Sequence, residues 1–315
     1  MKKITVLIPA YNEQEVLGQL YKRVSQVIDS ISNYEFEMLF VNDGSKDATL
    51  SIIQQLRQED KRVSYVDLSR NFGKEIAMIA GLDYCNGDAV IIIDADLQDP
   101  PELIPEMISY WENGYDDVFA KRKSREGESW MKKWTSKAFY DVLQKLTRIP
   151  IQKDTGDFRL LDRRCIEALK KFREAQRYTK GMFSWIGYNK KEILFDRDPR
   201  AAGNTKWNYA KLIDLAIEGI TSFTIAPLRL SSCFGIIVSI LSFMYIVFII
   251  AKTLIFGEKV QGYPSMMVVL LFLGGVQLIC MGIIGEYIGR IFNETKQRPL
   301  YFVNEFNGEK EKNNR

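Results

Sequence analysis

Residues 88–99 read DAVIIIDADLQD, an apolar, β-branched run from Ala89 to Ile93 that breaks abruptly into the carboxylates Asp94, Asp96 and Asp99. A short run that is apolar at consecutive rather than alternate residues reads as a strand buried on both faces. Four more stretches share this character: ITVLIP at 4–9, FEMLFVN at 36–42, RVSYVDL at 62–68 and DDVFA at 116–120. Between them, residues 13–31, 47–58, 73–84 and 101–111 carry helical spacing, with Asp47 and Pro100-Pro101 as start signals. The alternation predicts an α/β domain with a Rossmann-like, mostly parallel sheet and right-handed crossovers.

Ligands on such sheets bind outside the carboxyl ends of the strands, and the polar residues collect there. The first strand ends in Pro9-Ala10-Tyr11-Asn12-Glu13 and the second in Val41-Asn42-Asp43-Gly44-Ser45. The third leads into Ser69-Arg70-Asn71-Phe72-Gly73-Lys74-Glu75, and the fourth into Asp94-Ala95-Asp96-Leu97-Gln98-Asp99. If Asp94–Asp96 is extended, both carboxylates point to one side and can converge on one hard cation. Mg²⁺ and Mn²⁺ favour such oxygens and share them with substrate phosphates. Asp43 either adds to this acidic set or closes an Asp-Gly turn, and Asp99 is expected to cap the helix at Pro100-Pro101.

Composition narrows the chemistry. The 315 residues include no histidine, which removes Ser-His-Asp and Cys-His catalysis and histidine zinc sites together. Cys85, Cys165, Cys233 and Cys280 form no CxxC pair and read as buried thiols in a reducing compartment. With 43 Lys+Arg against 40 Asp+Glu, the net charge of +3 gives no bulk electrostatic case for a nucleic-acid partner.

The C-terminal third changes character. Leu230–Ala251 is 22 residues without a charge and Val260–Gly285 is 26. About 20 helical residues cross a ~30 Å hydrocarbon core, so both runs can span a bilayer; the alternative is a helical hairpin buried in a soluble core. Two spans leave both ends of the chain on one side. Lys211, Arg229, Arg290, Lys296 and Arg298 flank the spans, whereas the connecting loop holds only Lys252 and Lys259. The positive-inside rule therefore puts both ends in the cytoplasm. Gly274-Gly275, Gly282, Gly285 and Gly289 offer small-residue faces, suited to a homo-oligomer through the membrane or to packing within one hairpin. Residues 121–137 hold seven basic side chains against Glu126 and Glu128, with Trp130 and Trp134 four apart. They suit a lipid headgroup region, or else form a solvated helix with its tryptophans packed inward. Trp207–Phe223 is a second amphipathic stretch, and the tail after Asn304 reads as disordered.

The set PAYNEQE, VNDGSKDAT, SRNFGKE and DADLQDPPE resembles the inverting GT-A glycosyltransferases of family 2. More closely it is similar to their polyprenyl-phosphate branch, the bactoprenol glucosyltransferases and dolichol-phosphate mannose synthases. The resemblance runs on through DTGDFRLLDRR, RAAGNTKW (200–207), ITSFTIAPLRL (220–230), the two spans and QRP (297–299). It implies that Pro9, Tyr11, Glu13 and Asp43 hold the nucleotide base and ribose. Asp94, Ala95 and Asp96, with Gln98, would lie around the diphosphate, with Asp94, Asp96 and Gln98 on a Mg²⁺ or Mn²⁺ ion. Arg122 and Lys206 would contact phosphate groups, and Asp157 would be the catalytic carboxylate. Relatives often have a small Gly-Ser where Phe119-Ala120-Lys121 precede Arg122.

The resemblance further implies a GT-A domain over 1–205, juxtamembrane amphipathic helices over 206–229, a transmembrane hairpin over 230–290 and a cytoplasmic tail over 291–315. The expected enzyme sits in the cytoplasmic membrane and moves one sugar, glucose from UDP-glucose, to undecaprenyl phosphate. Its product would be a lipid-linked sugar donor for cell-envelope glycosylation. A processive polysaccharide synthase would share the domain but calls for more spans and a QxxRW motif. A non-catalytic lipid-phosphate scaffold would have no use for Asp43, Asp94, Asp96 and Asp157.

Overall fold

The computed structural model describes residues 1–123, 155–174, 177, 179–196, 224–256 and 262–308. Each apolar run becomes a strand: β1 (Lys2–Ala10), β2 (Tyr34–Asn42), β3 (Val63–Leu68), β4 (Ala89–Ile92) and β5 (Asp117–Arg122). Helices α1 (Leu17–Asp29), α2 (Thr49–Glu59), α3 (Lys74–Tyr84) and α4 (Ile104–Glu112) alternate with them. After β5 come β6 (Thr155–Asp162), α5 (Arg163–Lys170), α6 (Thr179–Trp185) and β7 (Lys190–Phe195). Then follow two long helices, α7 (Ala226–Phe256) and α8 (Tyr263–Thr295), and a final strand, β8 (Val303–Asn307).

The eight strands form one sheet in the order β7-β5-β6-β4-β1-β2-β3-β8. The pairs β4–β1, β1–β2, β2–β3 and β5–β7 are parallel, as expected. Strand β6 enters antiparallel between β4 and β5, and β8 closes the far edge antiparallel to β3. The architecture is a GT-A-like mixed α/β sheet. Residues such as Val6, Leu7, Ile8, Phe40 and Ile91 on its central strands are fully buried, each supplying about 1.5–3 kcal/mol of apolar burial. Helix α3 lies so close to β1 that a Cβ on Gly81 would stand 2.1 Å from the Leu7 side chain.

The tail after Asn304 was expected to be disordered, but Val303–Asn307 is strand. Four groups recruit it. The Ser69 N–H donates to the Phe302 carbonyl at 2.9 Å, Tyr65 Oη to Glu305 at 2.8 Å, Arg57 Nε to Asn307 at 3.2 Å, and Tyr301 Oη to Asp83 at 2.8 Å. Phe306 also packs on Tyr84, with ring centroids 4.6 Å apart. A polar composition hid a segment that finds its partners only in the sheet.

The chain divides into two compact units, residues 1–214 with 298–315, and residues 215–297. Within the second, α7 and α8 are each long and apolar enough to cross a membrane, with windows at Ala226–Ile249 and Phe272–Thr295. Neither window is buried, so the buried-hairpin alternative finds no support. Phe243 and Leu278, for instance, are 68% and 72% exposed. Cys85 and Cys165 are buried as expected, whereas Cys233 on α7 is exposed and Cys280 on α8 is partly so. Among the described residues, nothing stands where a Cβ on Gly274, Gly275, Gly282, Gly285 or Gly289 would lie.

Candidate active site

The carboxyl ends of β1, β2, β3 and β4 share one pole of the sheet, and β6 begins there because it runs the other way. Ile92 on β4 pairs with Arg159 on β6. Continuing that antiparallel register two residues beyond the strand brings Asp94 opposite Asp157. Between them lies an ammonium: Lys74 Nζ donates to Asp94 at 2.7 Å and to Asp157 at 2.5 Å. Burial works against the charge of Lys74, but the two carboxylates hold it well above the usual lysine range. Burial pushes Asp94 up, assisted by Asp157 and Asp96 and opposed by Lys74.

Lys74 is the first residue of α3, where the helix dipole disfavours a cation. The two acids, not the helix, hold it there. Its placement begins one residue earlier. The Asp43 carboxylate at the end of β2 accepts the backbone N–H of Phe72 at 2.7 Å and of Gly73 at 2.9 Å, fixing the turn that launches α3. Gly73 has φ +96°, a conformation few side chains tolerate. Burial raises the Asp43 pKa, against the pull of these two amides and Arg70. Gly44, at φ +63°, lets the β2 loop press on its neighbour: a Cβ there would stand 2.3 Å from the Arg70 carbonyl carbon. The Asp43 carboxylate is thus engaged with the turn before α3.

The remaining loops interlock. The Asn12 N–H donates to Ser45 Oγ at 3.0 Å, and Asn12 Oδ1 accepts the Lys46 N–H at 2.8 Å, with Asn12 at φ +55°. The Glu13 N–H donates to Thr49 Oγ1 at 2.9 Å. Pro9 is buried in β1 opposite Val41, while Tyr11 is exposed at the pole. At the start of α2, Asp47 accepts the Thr49 N–H at 3.0 Å, in keeping with its expected role.

The acidic motif differs from its expected shape. The chain turns at Ala95-Asp96: β4 ends at Ile92, Asp96 accepts the Gln98 N–H at 3.2 Å, and Leu97 has φ +60°. The chain turns here ahead of the short 3₁₀ turn at Pro101–Leu103, so Asp96 is placed by a turn and not by strand alternation. Ala95 and Gln98 are buried. Asp99 is buried too, and Pro100 occupies the cap position of the following turn.

Arg122 closes β5 at the same pole, one strand beyond Asp157. Lys206, most of the basic 121–137 stretch and the amphipathic 207–223 stretch lie outside the described residues. Lys74 is the residue the sequence reading missed, although SRNFGKE was singled out; the signal was a lysine opening a helix. Glu75 beside it accepts both the N–H (2.9 Å) and Oγ1 (2.5 Å) of Thr179, tying α6 to α3.

Comparison with known proteins follows this geometry. The Glycosyl transferase family 2 profile matches residues 5–170, and the GtrB C-terminal hairpin matches residues 226–291. The chain is 50% identical over 306 residues to the uncharacterized glycosyltransferase sll0501 of Synechocystis sp., covering 97% of this chain and 96% of that protein. It is 46% identical over 301 residues to the bactoprenol glucosyl transferase of Shigella phage SfX, covering 96% and 98%. It is 44% identical over 299 residues to the uncharacterized glycosyltransferase YkcC of Bacillus subtilis, covering 95% and 92%. With a family 2 domain on the sheet, a GtrB-type hairpin after it and relatives of matching length, the chain belongs to glycosyl transferase family 2, in its polyprenyl-phosphate branch.

Proposed function

We propose that this membrane-associated glycosyltransferase moves one glucose from UDP-glucose to undecaprenyl phosphate, with inversion at the anomeric carbon. The observation that carries the reading is the meeting of Asp94 and Asp157 at the pole where α/β sheets bind ligands, in a chain that also carries two bare apolar helices. The bactoprenol glucosyl transferase name borne by a relative of matching length supports both the sugar and the acceptor.

The residues fit a divalent cation in kind. The donors are hard oxygens, and the place already holds a positive charge, that of Lys74. Among the described residues no three His, Cys, Asp or Glu side chains group closely enough to hold a metal alone. Asp94, Asp96 and Gln98 would therefore hold Mg²⁺ or Mn²⁺ together with oxygens of the donor diphosphate. A bound ion would offset the charge that builds on the departing nucleotide. Tyr11, Glu13 and Asp43 line the neighbouring strand ends where base and ribose would lie, with Pro9 beneath them. Arg122 and Lys206 would meet phosphate groups.

The acceptor is a phosphate monoester with a second pKa near ~6, so it is mostly dianionic at neutral pH and needs little help in losing a proton. Asp157 then serves mainly to hold Lys74 and orient charge around the reacting phosphates. The bilayer provides the acceptor, with both termini cytoplasmic and the faces of Gly285 and Gly289 available for self-association. Domain limits of 1–205, 206–229, 230–290 and 291–315 remain our proposal, with the last now including β8.

Membranes containing the protein, supplied in turn with labelled UDP-glucose and other labelled nucleotide sugars, test the reading through the lipid product. Glucosyl-phosphoryl-undecaprenol from UDP-glucose is expected. A polymer would favour the processive synthase, and no lipid product from any donor would favour the scaffold. Excess chelator should abolish transfer, and Asp96→Ala should lower it at least about 100-fold, the scale for losing one charge-stabilising group. Full activity in chelator would sink the metal assignment.

A further inference from the structure

Charge bookkeeping around Lys74 leads one step past the proposed reaction, on which this inference rests. Asp94, Asp96 and Asp157 bring three carboxylates to one pole, and Lys74 returns a single positive charge. The ammonium is no structural rivet. It sits at the unfavourable end of its helix, and it spends its hydrogen bonds on two groups from different strand ends. Its foundation, by contrast, is rigid. Asp43 fixes the Phe72 and Gly73 amides, and Glu75 is anchored to Thr179. A flexible four-carbon stem on a fixed backbone gives a cation that can move a few ångströms while its origin stays put.

We propose that Lys74 is a built-in competitor of the divalent cation: its ammonium occupies Asp94, one of the carboxylates proposed to hold the ion, and yields when a nucleotide diphosphate arrives to receive it. Without a diphosphate, loading the site means turning the ammonium away from both carboxylates with nothing to replace them. With a diphosphate present, phosphate oxygens replace Asp94 as the acceptors of Lys74, and the displacement costs little. Lys74 thus makes cation binding conditional on the donor, which protects the site from loading with a bare ion. Its role is positional, since it acts by deciding when Asp94 is free.

The test reads Mn²⁺ binding, not turnover. Purified full-length protein in detergent is titrated with Mn²⁺, following loss of the free-ion electron paramagnetic resonance signal, with and without UDP. In the absence of UDP, Lys74→Met is expected to bind Mn²⁺ at least about 10-fold more tightly than wild type, and Lys74→Arg to stay near wild type. With UDP the advantage of Lys74→Met should shrink to within about 3-fold. A thermal melt confirms that each variant is folded. Equal or weaker Mn²⁺ binding by a folded Lys74→Met protein without UDP would overturn the proposal while leaving the metal site intact. If no protein bound Mn²⁺ even with UDP, the metal reading itself would fall, and this proposal with it.

Discussion

Arg159 and Asp117 face each other at 3.1 Å on neighbouring strands, and neither side chain is exposed to solvent. The guanidinium also lies 3.7 Å from the Phe183 ring centroid. Asp117 thus holds Arg159 in the core, while Lys74 bonds to Asp157. Removing one member of such a pair strands a buried charge and costs about 3–5 kcal/mol. Arg159→Met should lower the melting temperature of the detergent-solubilised protein steeply, because among the described residues Asp117 then keeps only Lys190, at 4.0 Å. The double variant Arg159→Met with Asp117→Leu should recover most of the loss. A single variant as stable as wild type would show that the pair contributes nothing.

Asp60 sets an acid-side prediction. Burial pushes its pKa up, but the Arg62 guanidinium and backbone N–H, with Tyr21 Oη, more than offset that and hold it below the usual aspartate value. A depressed folded pKa gives stability that is present above the unfolded value and lost as pH falls through the folded one. Asp60→Asn should therefore be less stable than wild type by about 0.5–1 kcal/mol at pH 7, a partly exposed pair being worth no more. The gap should close as the pH is lowered through the acid range below the ordinary aspartate value near ~3.9. A gap unchanged down to pH 2 would mean that packing, not charge, is responsible.

Asp157→Asn separates two roles by pH. If this carboxylate only removed a proton from the acceptor, the variant would be impaired below about pH 6 and recover near pH 8, where the phosphate is already deprotonated. Because Asp157 holds Lys74 at 2.5 Å, its loss also releases that cation. The defect is expected to persist from pH 6 to 8 in a single-turnover transfer assay. Near-complete recovery at pH 8 would reduce Asp157 to a proton acceptor.

How far the site could be read from the chain depends on the range of the interaction. The strand runs announced themselves because burial on both faces writes consecutive apolar residues, and all five became strands. The acidic pole followed from their order. Lys74 was hidden because its meaning lies in Asp94 and Asp157, 20 and 83 residues away, and no local pattern encodes a meeting made by sheet topology. Strand β6 had no apolar run of its own to advertise it, since TGDFRLLD mixes Asp157 and the buried Arg159 into the strand. The turn at Ala95–Leu97 could not be told from a strand because a DxD pattern looks the same in both.

Topology is open to a direct check. An epitope tag inserted at Gly262, which is exposed immediately before α8, should react with antibody from outside the cytoplasmic membrane. Tags at either terminus should react only after the membrane is permeabilised. Surface labelling of a C-terminal tag in intact cells would reverse the orientation and remove the cytoplasmic donor site.

Strand β8 gives the protein a schedule. Its partner β3 lies some 240 residues earlier, and both long helices are made in the interval. At 5–20 residues per second, a ribosome takes roughly 10–50 s to cover that distance. Throughout this time the edge of β3 is unpaired, a template for pairing with another nascent chain. Synthesis of both helices must therefore precede completion of the sheet. A fragment cut before α7 would be held permanently at that unfinished stage, sticky along β3 however well its other strands had folded.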